Sequence, residues 1–480
     1  MQQNILFFLH SAIRKFQIDF IKELSTTNNI ATICKKESVK NLNKKIPFIR
    51  CYEIPDLLKP EEWESNSSEI SRLNKLISTI EKKNNFFFSK ILLSNYRDIG
   101  VNLADDFQIF HHNKIRDYIR KRPHETNRML RKILRFVEFS FQSFQPDYLI
   151  LGETSSKFQL VASIYAKHNN IPLNIIRRSK ILSNRLFFTD CLKMFSNRTE
   201  FFFKKNKIRN YNQAFKYLKK FREDPKVIKY IKSNWESYKK INLILSKDLI
   251  FSIISKKNIL NFNFLNIIKK LAFIVKFNFN RIYKKSLYKK FNQQDLKKFK
   301  YVYFPLHKEP ELTINFQSTK FFNQENLVSY ISSSLPFNFK LLVKEHLYND
   351  GLRKLRVTKK MTKLPNTYLI DPLESQFKYI KNSNLIITIN GSSGWEGLIF
   401  NKPVITLEDK TFYSICDLHY FLKNLDELES LILKIDRKVD VSKTYDNKLI
   451  KLIDAEHSAT FSDRINRKLF KNLYKELKKK

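Results

Sequence analysis

Half of the chain's 6 glycines, Gly391, Gly394 and Gly397, fall in one stretch from Asn384 to Gly397. An apolar run, Leu385 to Ile389, leads into Asn390-Gly391-Ser392-Ser393-Gly394, and Trp395-Glu396-Gly397 follows. A strand, a small-residue turn and a helix N-terminus in that order offer unpaired N–H groups and a positive dipole end to an anion. The glycines are expected to take positive φ and let a ligand approach the backbone. Ser392 and Ser393 could add hydroxyl hydrogen bonds to a phosphate, and serines here would equally serve as ordinary helix caps. Glu396 suits either ribose hydroxyls or the helix dipole alone. The loop is not a P-loop, because GxxxxGK[ST] is absent, and its glycine spacing is not that of GxGxxG. Three other clusters carry chemistry. His346, preceded by Lys344 and Glu345, could bind a diphosphate or protonate a leaving phosphate, or be only a polar loop residue. His307 with Glu309 and Glu311 offers a base and orienting carboxylates, against the plainer reading of solvated glutamates. Glu153, after Gly152, is a further carboxylate of the same kind.

Each cluster directly follows an apolar run, as do His10 and Ser11. In open parallel sheets ligands bind beyond the carboxyl ends of the strands, so the runs predict a parallel sheet beneath each group of clusters. Runs at Ile5 to Leu9, Ile30 to Cys34, Tyr148 to Leu151 and Ile171 to Ile176 alternate with helical periodicity and imply a first βαβ unit. Runs at Tyr301 to Phe304, Lys340 to Val343, Tyr368 to Ile370, Leu385 to Ile389 and Val404 to Leu407 imply a second. Phe86 to Leu93 reads as one more strand, while Glu53 to Asn84 is polar and unassigned. Between the units, Phe201 to Lys298 is dense in Lys, Asn, Phe and Ile and reads as helices. Its stretch Phe264 to Phe279, with Lys269, Lys270 and Lys276, is either a packed helix with solvated lysines or a membrane-surface face. The division predicted is an α/β chain with two Rossmann-like domains, 1–198 and 299–435. A basic helical insertion, 199–298, lies between them, and C-terminal helices, 436–480, follow.

The totals narrow the class. A chain of 480 residues with 42% hydrophobic content is a multi-domain globular protein. A formal net charge of +43 fits solvated faces, an anionic membrane surface or an anionic polymer, and no motif for sequence-specific nucleic-acid binding accompanies it. Cys34, Cys51, Cys191 and Cys416 are far apart in sequence and show no CxxC spacing, which excludes a zinc pattern and a secreted disulfide framework. With neither a signal peptide nor an apolar run long enough to span a bilayer, the reading is a cytoplasmic protein, peripheral at most on the inner membrane face.

Tyr303-Phe-Pro-Leu-His307-Lys-Glu309-Pro310-Glu311, Val343-Lys344-Glu345-His346, Ile389-Asn390-Gly-Ser392-Ser393-Gly-Trp-Glu396-Gly and Lys402-Pro403-Val-Ile together resemble the capsular polysaccharide biosynthesis proteins. Those are GT-B glycosyltransferases related to the bacterial Kdo transferases. The resemblance covers Phe299 to Tyr413 most clearly and extends through Pro146-Asp147 and the Gly152 loop. The segment from Phe201 to Lys298 has no counterpart, and the proline usual after the His346 position is Leu347 here. It implies two Rossmann-like domains facing a cleft, with a nucleotide-sugar held by the C-terminal one and a polysaccharide or glycolipid acceptor by the other. Lys344, His346, Asn390, Gly391, Ser392, Ser393, Gly394 and Glu396 would surround the donor, with Glu309, His307 and Glu153 near the reacting sugar. It further implies no metal and no cofactor beyond a CMP- or UDP-linked co-substrate. The alternatives are a polyol-phosphate transferase, a nucleotide-sugar epimerase of similar architecture, or a non-enzymatic polyanion-binding scaffold.

Overall fold

In the computed structural model the described residues are 2–9, 15–47, 49–56, 63, 65–93, 125–152, 157–189, 194–205, 208–226, 264–309, 318–321, 323–437 and 442–462. They form two α/β units, as expected. The first is built on β1 (Asn4–Phe8), β2 (Asn29–Cys34), β3 (Arg50–Glu53), β4 (Tyr148–Leu151), β5 (Leu173–Arg178) and β6 (Arg185–Thr189). The second is built on β7 (Lys300–Pro305), β8 (Phe339–Lys344), β9 (Thr367–Ile370), β10 (Leu385–Thr388), β11 (Val404–Thr406) and β12 (Tyr420–Phe421). A last strand, β13 (Phe461–Ser462), returns to the first sheet. The orders are β13-β6-β5-β4-β1-β2-β3 and β12-β11-β10-β7-β8-β9.

The second sheet is parallel throughout, and the first is parallel from β3 to β5 with β6 and β13 antiparallel at one edge. Strands covered on both faces read as continuous apolar runs, which is why Ile5–Phe8 and Leu385–Thr388 stand out in the sequence and lie buried. Both sheets reverse direction beside their first strand. In the second, β7 runs outward through β8 and β9, and then the chain returns to place β10 on the other side of β7. The crevice between the carboxyl ends of β7 and β10 is therefore a topological switch point, where such sheets bind ligands.

Helices from the basic segment join the units. Asn197–Lys204 and Tyr211–Glu223 pack against the long helix Ser442–Ala459. The fully buried carboxyl of Glu456 accepts hydrogen bonds from Ser179 at 2.6 Å and Thr199 at 2.8 Å, while burial pushes its pKa up. Arg222 reaches both oxygens of Asp446 and the Ile399 carbonyl. Ile181 and Leu182, in the β5–β6 turn, enter the same core as Trp395 and Tyr413 of the second unit.

One expectation is corrected. Phe86 and Phe88 do enter the core, but the segment ends in the short helix Ser89–Leu93 and not in a strand. The polar stretch before it holds β3 and an 18-residue helix, Ser67–Asn84, capped by the Asn66 side chain on the Glu69 N–H. Cys34 and Cys51, distant in sequence, lie on adjacent strands, and the Thr32 hydroxyl between them donates to the Cys51 sulfur at 3.1 Å. The expected terminal helix from Phe470 lies outside the described residues, as does the chain from 227 to 263.

Candidate active site

The turn after β10 is pinned from both sides. The Thr388 hydroxyl accepts the Gly391 N–H at 3.1 Å, and the buried Tyr413 hydroxyl donates to the Gly391 carbonyl at 3.4 Å. Helix Ser392–Ile399 then starts with Gly391 as N-cap and no side chain bonded to its first turn. Its first turn is partly covered, with Ser392 half-buried and Ser393 mostly buried, and the Gly394 N–H returns to the Gly391 carbonyl at 3.2 Å. Ordinary capping, the alternative for these serines, is thus not what occupies this end of the helix.

The glycines have a different purpose from the one expected. Gly391 sits at φ −76, in extended backbone and not in the left-handed region. A Cβ on Gly394 would fall 1.9 Å from the Tyr413 hydroxyl, and one on Gly397 would fall 2.2 Å from Ile386 Cδ1. Those two let the helix press onto β10 and Tyr413. Gly391 borders His307: a Cβ there would meet the Thr388 hydroxyl at 3.0 Å and the His307 ring at 3.2 Å.

His307 follows β7 and therefore stands directly across the switch point. The Gln324 side chain clamps its backbone, accepting from the His307 N–H at 2.7 Å and donating to its carbonyl at 3.2 Å. The imidazole Nε2 is buried with no hydrogen-bond partner among the described residues, although a buried polar atom normally finds one. Burial, with the Lys180 ammonium, lowers the His307 pKa to about 4. His346, at the end of β8, is lowered to about 3 by burial and by the positive charges of Lys308, His307, Lys344 and Arg353. Both imidazoles are therefore neutral at pH 7, chiefly because they are buried.

The remaining expected residues divide. Lys344 is nearly buried and spends its ammonium on the carbonyls of Pro372 at 2.8 Å and Asp371 at 3.3 Å, so it ties β8 to the loop after β9. Asn390 is buried beside the turn. Glu396 points inward; burial raises its carboxyl to about 7, with Gln376 as a hydrogen-bonding neighbour. Glu309 is fully buried: Gln324 donates to its carboxylate, and Arg353 Nη1 lies 4.0 Å from it. Arg353 in turn grips Glu345 at 2.6 Å, and Glu345 accepts the His346 N–H at 2.9 Å. That network fixes the two histidine loops relative to each other. Glu153, Glu311, His10 and Ser11 lie outside the described residues.

Two residues were missed. Lys180, in the β5–β6 turn of the first unit, places its ammonium 5.6 Å from the Phe412 ring centroid and close enough to His307 to act on its charge. Only the tertiary fold reveals it. Glu408 follows β11, its N–H bonded to the Ile389 carbonyl at 3.1 Å, beside the Asn390 turn. Burial raises its pKa against the pull of Lys320 and of Lys90 from the first unit. The rule that found the other clusters, a polar residue after an apolar run, applies to Glu408 as well. The switch point thus faces cations and a half-buried carboxylate from two units.

No protein-family model and no curated protein matches the chain. Solved structures match over most of its length at low similarity. One is the UDP-GlcNAc 2-epimerase of Methanocaldococcus jannaschii in complex with UDP-GlcNAc and UDP, 11% identical over 99% of this chain and 100% of that one, TM-score 0.31. Another is the UDP-GlcNAc 2-epimerase of Neisseria meningitidis bound to UDP-GlcNAc, 12% identical over 99% and 100%, TM-score 0.30. A third is a KpsC beta Kdo 2,4 transferase of Thermosulfurimonas dismutans, 12% identical over 64% of this chain and 78% of that one, TM-score 0.35.

Proposed function

We propose that the chain is a glycosyltransferase. It would take a sugar from a nucleotide donor held at the β7–β10 crevice and pass it to a surface polysaccharide or glycolipid acceptor. The observation that carries this reading is the bare helix N-terminus at Gly391–Ser393, faced by the orphaned His307 imidazole and by Lys180 of the other unit. The motif resemblance over Phe299 to Tyr413 points the same way.

In this reading the backbone N–H groups and hydroxyls of Ser392 and Ser393 hold the donor phosphates. The His307 and His346 N–H groups stabilise charge on the departing nucleotide. A bound phosphate would raise both imidazole pKa values, because it supplies the negative charge their cationic surroundings lack. Lys344 and Glu309 act as positioning residues. Glu408, half-buried and with its pKa raised by burial, is the carboxylate assigned to take the proton from the acceptor hydroxyl, and Glu153 is the second choice. Glu396 would reach ribose only if its inward rotamer changed.

The test is incubation with CMP-, UDP- and GDP-linked sugars plus a glycolipid acceptor fraction, reading nucleotide release and sugar transfer together. One donor class is expected to release nucleotide with transfer, and Glu408→Gln to lower turnover by roughly 100-fold while donor affinity holds. Conversion of the donor to an epimer without transfer would favour the epimerase alternative instead. No turnover of any donor would leave the transferase reading without support.

A further inference from the structure

Helix Phe264–Lys285 is amphipathic in the inverse sense. Its inward face carries Asn280, Arg281 and Lys284, all buried. Arg281 Nε reaches an Asp350 carboxylate oxygen at 3.0 Å, the Lys284 ammonium donates to the Asp350 carbonyl at 2.6 Å, and Asn280 donates to the Gly351 carbonyl at 3.3 Å. The outward stripe is apolar instead: Val275 is 67% exposed, Phe279 60%, Ile282 69% and Tyr283 37%. These positions recur every three or four residues, so they form one continuous stripe on the helix. A helix that spends Arg281 and Lys284 inside while Val275, Phe279 and Ile282 face outward is built to have that outer face covered.

The surroundings say by what. Helix Leu355–Thr362 packs alongside, and Lys359 from it lies 4.6 Å over the Tyr283 ring. Lys276, Lys285 and Lys360 are also exposed on these two helices. Across residues 264–290 and 351–363 there is no aspartate or glutamate. A bilayer with anionic headgroups supplies a diffuse negative plane above and acyl chains below, which is the complement of an apolar stripe fringed by lysines. Among the described residues no helix is long and apolar enough to cross a membrane.

We propose that the outward face of helix Phe264–Lys285, with the lysines of helix Leu355–Thr362, docks on an anionic lipid surface. The docked helix holds Asp350, and Asp350 lies in the same loop as His346 and Arg353, so the lipid face and the crevice are two sides of one segment. The proposal does not require that the chain be a transferase, and its test uses no nucleotide.

The experiment is cosedimentation of the full chain with phosphatidylcholine vesicles, with and without phosphatidylglycerol. The whole chain is expected to sediment with the anionic vesicles only, and less as salt rises. Phe279→Ser with Ile282→Ser is expected to weaken partitioning by at least about tenfold, and Lys359→Glu with Lys360→Glu by a similar factor. Both pairs are exposed, and their melting temperatures should stay at the wild-type value. Equal sedimentation of the apolar variant would overturn the proposal, as would no vesicle binding at all. So would a wild-type dimer that the apolar variant splits, which would assign the face to a second copy. A lower melting temperature in that variant without vesicle binding would assign it to the chain's own packing.

Discussion

The two loops that flank the switch point are made in opposite ways. The turn after β10 presents backbone: an uncapped helix start, two serines and a glycine that leaves room for the His307 ring. The loop after β8 is locked by side chains, with Arg353 between Glu345 and Glu309, Asp350 held from the helix behind, and Asn349 accepting the Glu309 N–H at 2.9 Å. The first has unspent hydrogen-bonding capacity, and the second has committed most of its own. Under the proposed function, binding would belong to the former and rigidity to the latter. Changes in each should therefore show in different measurements.

The largest effect is expected from Arg353→Met. It leaves Glu345 and Glu309 buried without their counter-charge and should cost about 3–5 kcal/mol of unfolding free energy in urea titration. A loss below about 1 kcal/mol would mean the β8 loop is not held as described. Gly394→Ala comes next. Its methyl must displace the buried Tyr413 hydroxyl, at a cost of about 1–3 kcal/mol, whereas the methyl of Gly391→Ala meets the Thr388 hydroxyl and the edge of His307 no closer than 3.0 Å and should be milder. Equal effects at both positions would erase the distinction between the two glycines.

A smaller effect separates the histidines from ordinary surface ones. His307 and His346 titrate near 4 and 3 when folded and near 6.5 when unfolded, so the unfolded chain binds their protons first as pH falls. Their contribution is complete above about pH 6.5 and is lost on acidification, by up to ~1.4 kcal/mol per pH unit for each histidine. A phosphate ligand acts in the opposite direction: by raising both pKa values it takes up protons, so its binding tightens as pH falls through the raised values toward about 4. His307→Asn with His346→Asn should flatten both dependences, read by urea titration and by calorimetry in buffers of different ionisation enthalpy.

How much of this was legible follows from where each residue's signal lies. Ile5–Phe8, Tyr301–Phe304 and Leu385–Thr388 announce themselves because both faces of their strands are covered. Arg50–Glu53 does not, being an edge strand with polar ends. Ser67–Asn84 buries only Leu73 and Ile80, too few apolar positions for its period to show. The glycine cluster read as backbone room for a ligand, but Gly394 and Gly397 serve close packing. Glu309 read as an exposed acid because sequence does not show that Arg353 lies beside it in space. Phe264–Phe279 was legible as basic and amphipathic, but not that its charges would turn inward to Asp350.

Calorimetric titration of CMP, UDP and GDP into the wild type and into Ser392→Ala with Ser393→Ala tests the central claim most directly. The account predicts that one nucleotide binds the wild type and that the variant binds it roughly 10- to 100-fold more weakly at an unchanged melting temperature, since no cap bond is lost. Equal affinity in both proteins, or no binding of any nucleotide, would contradict it.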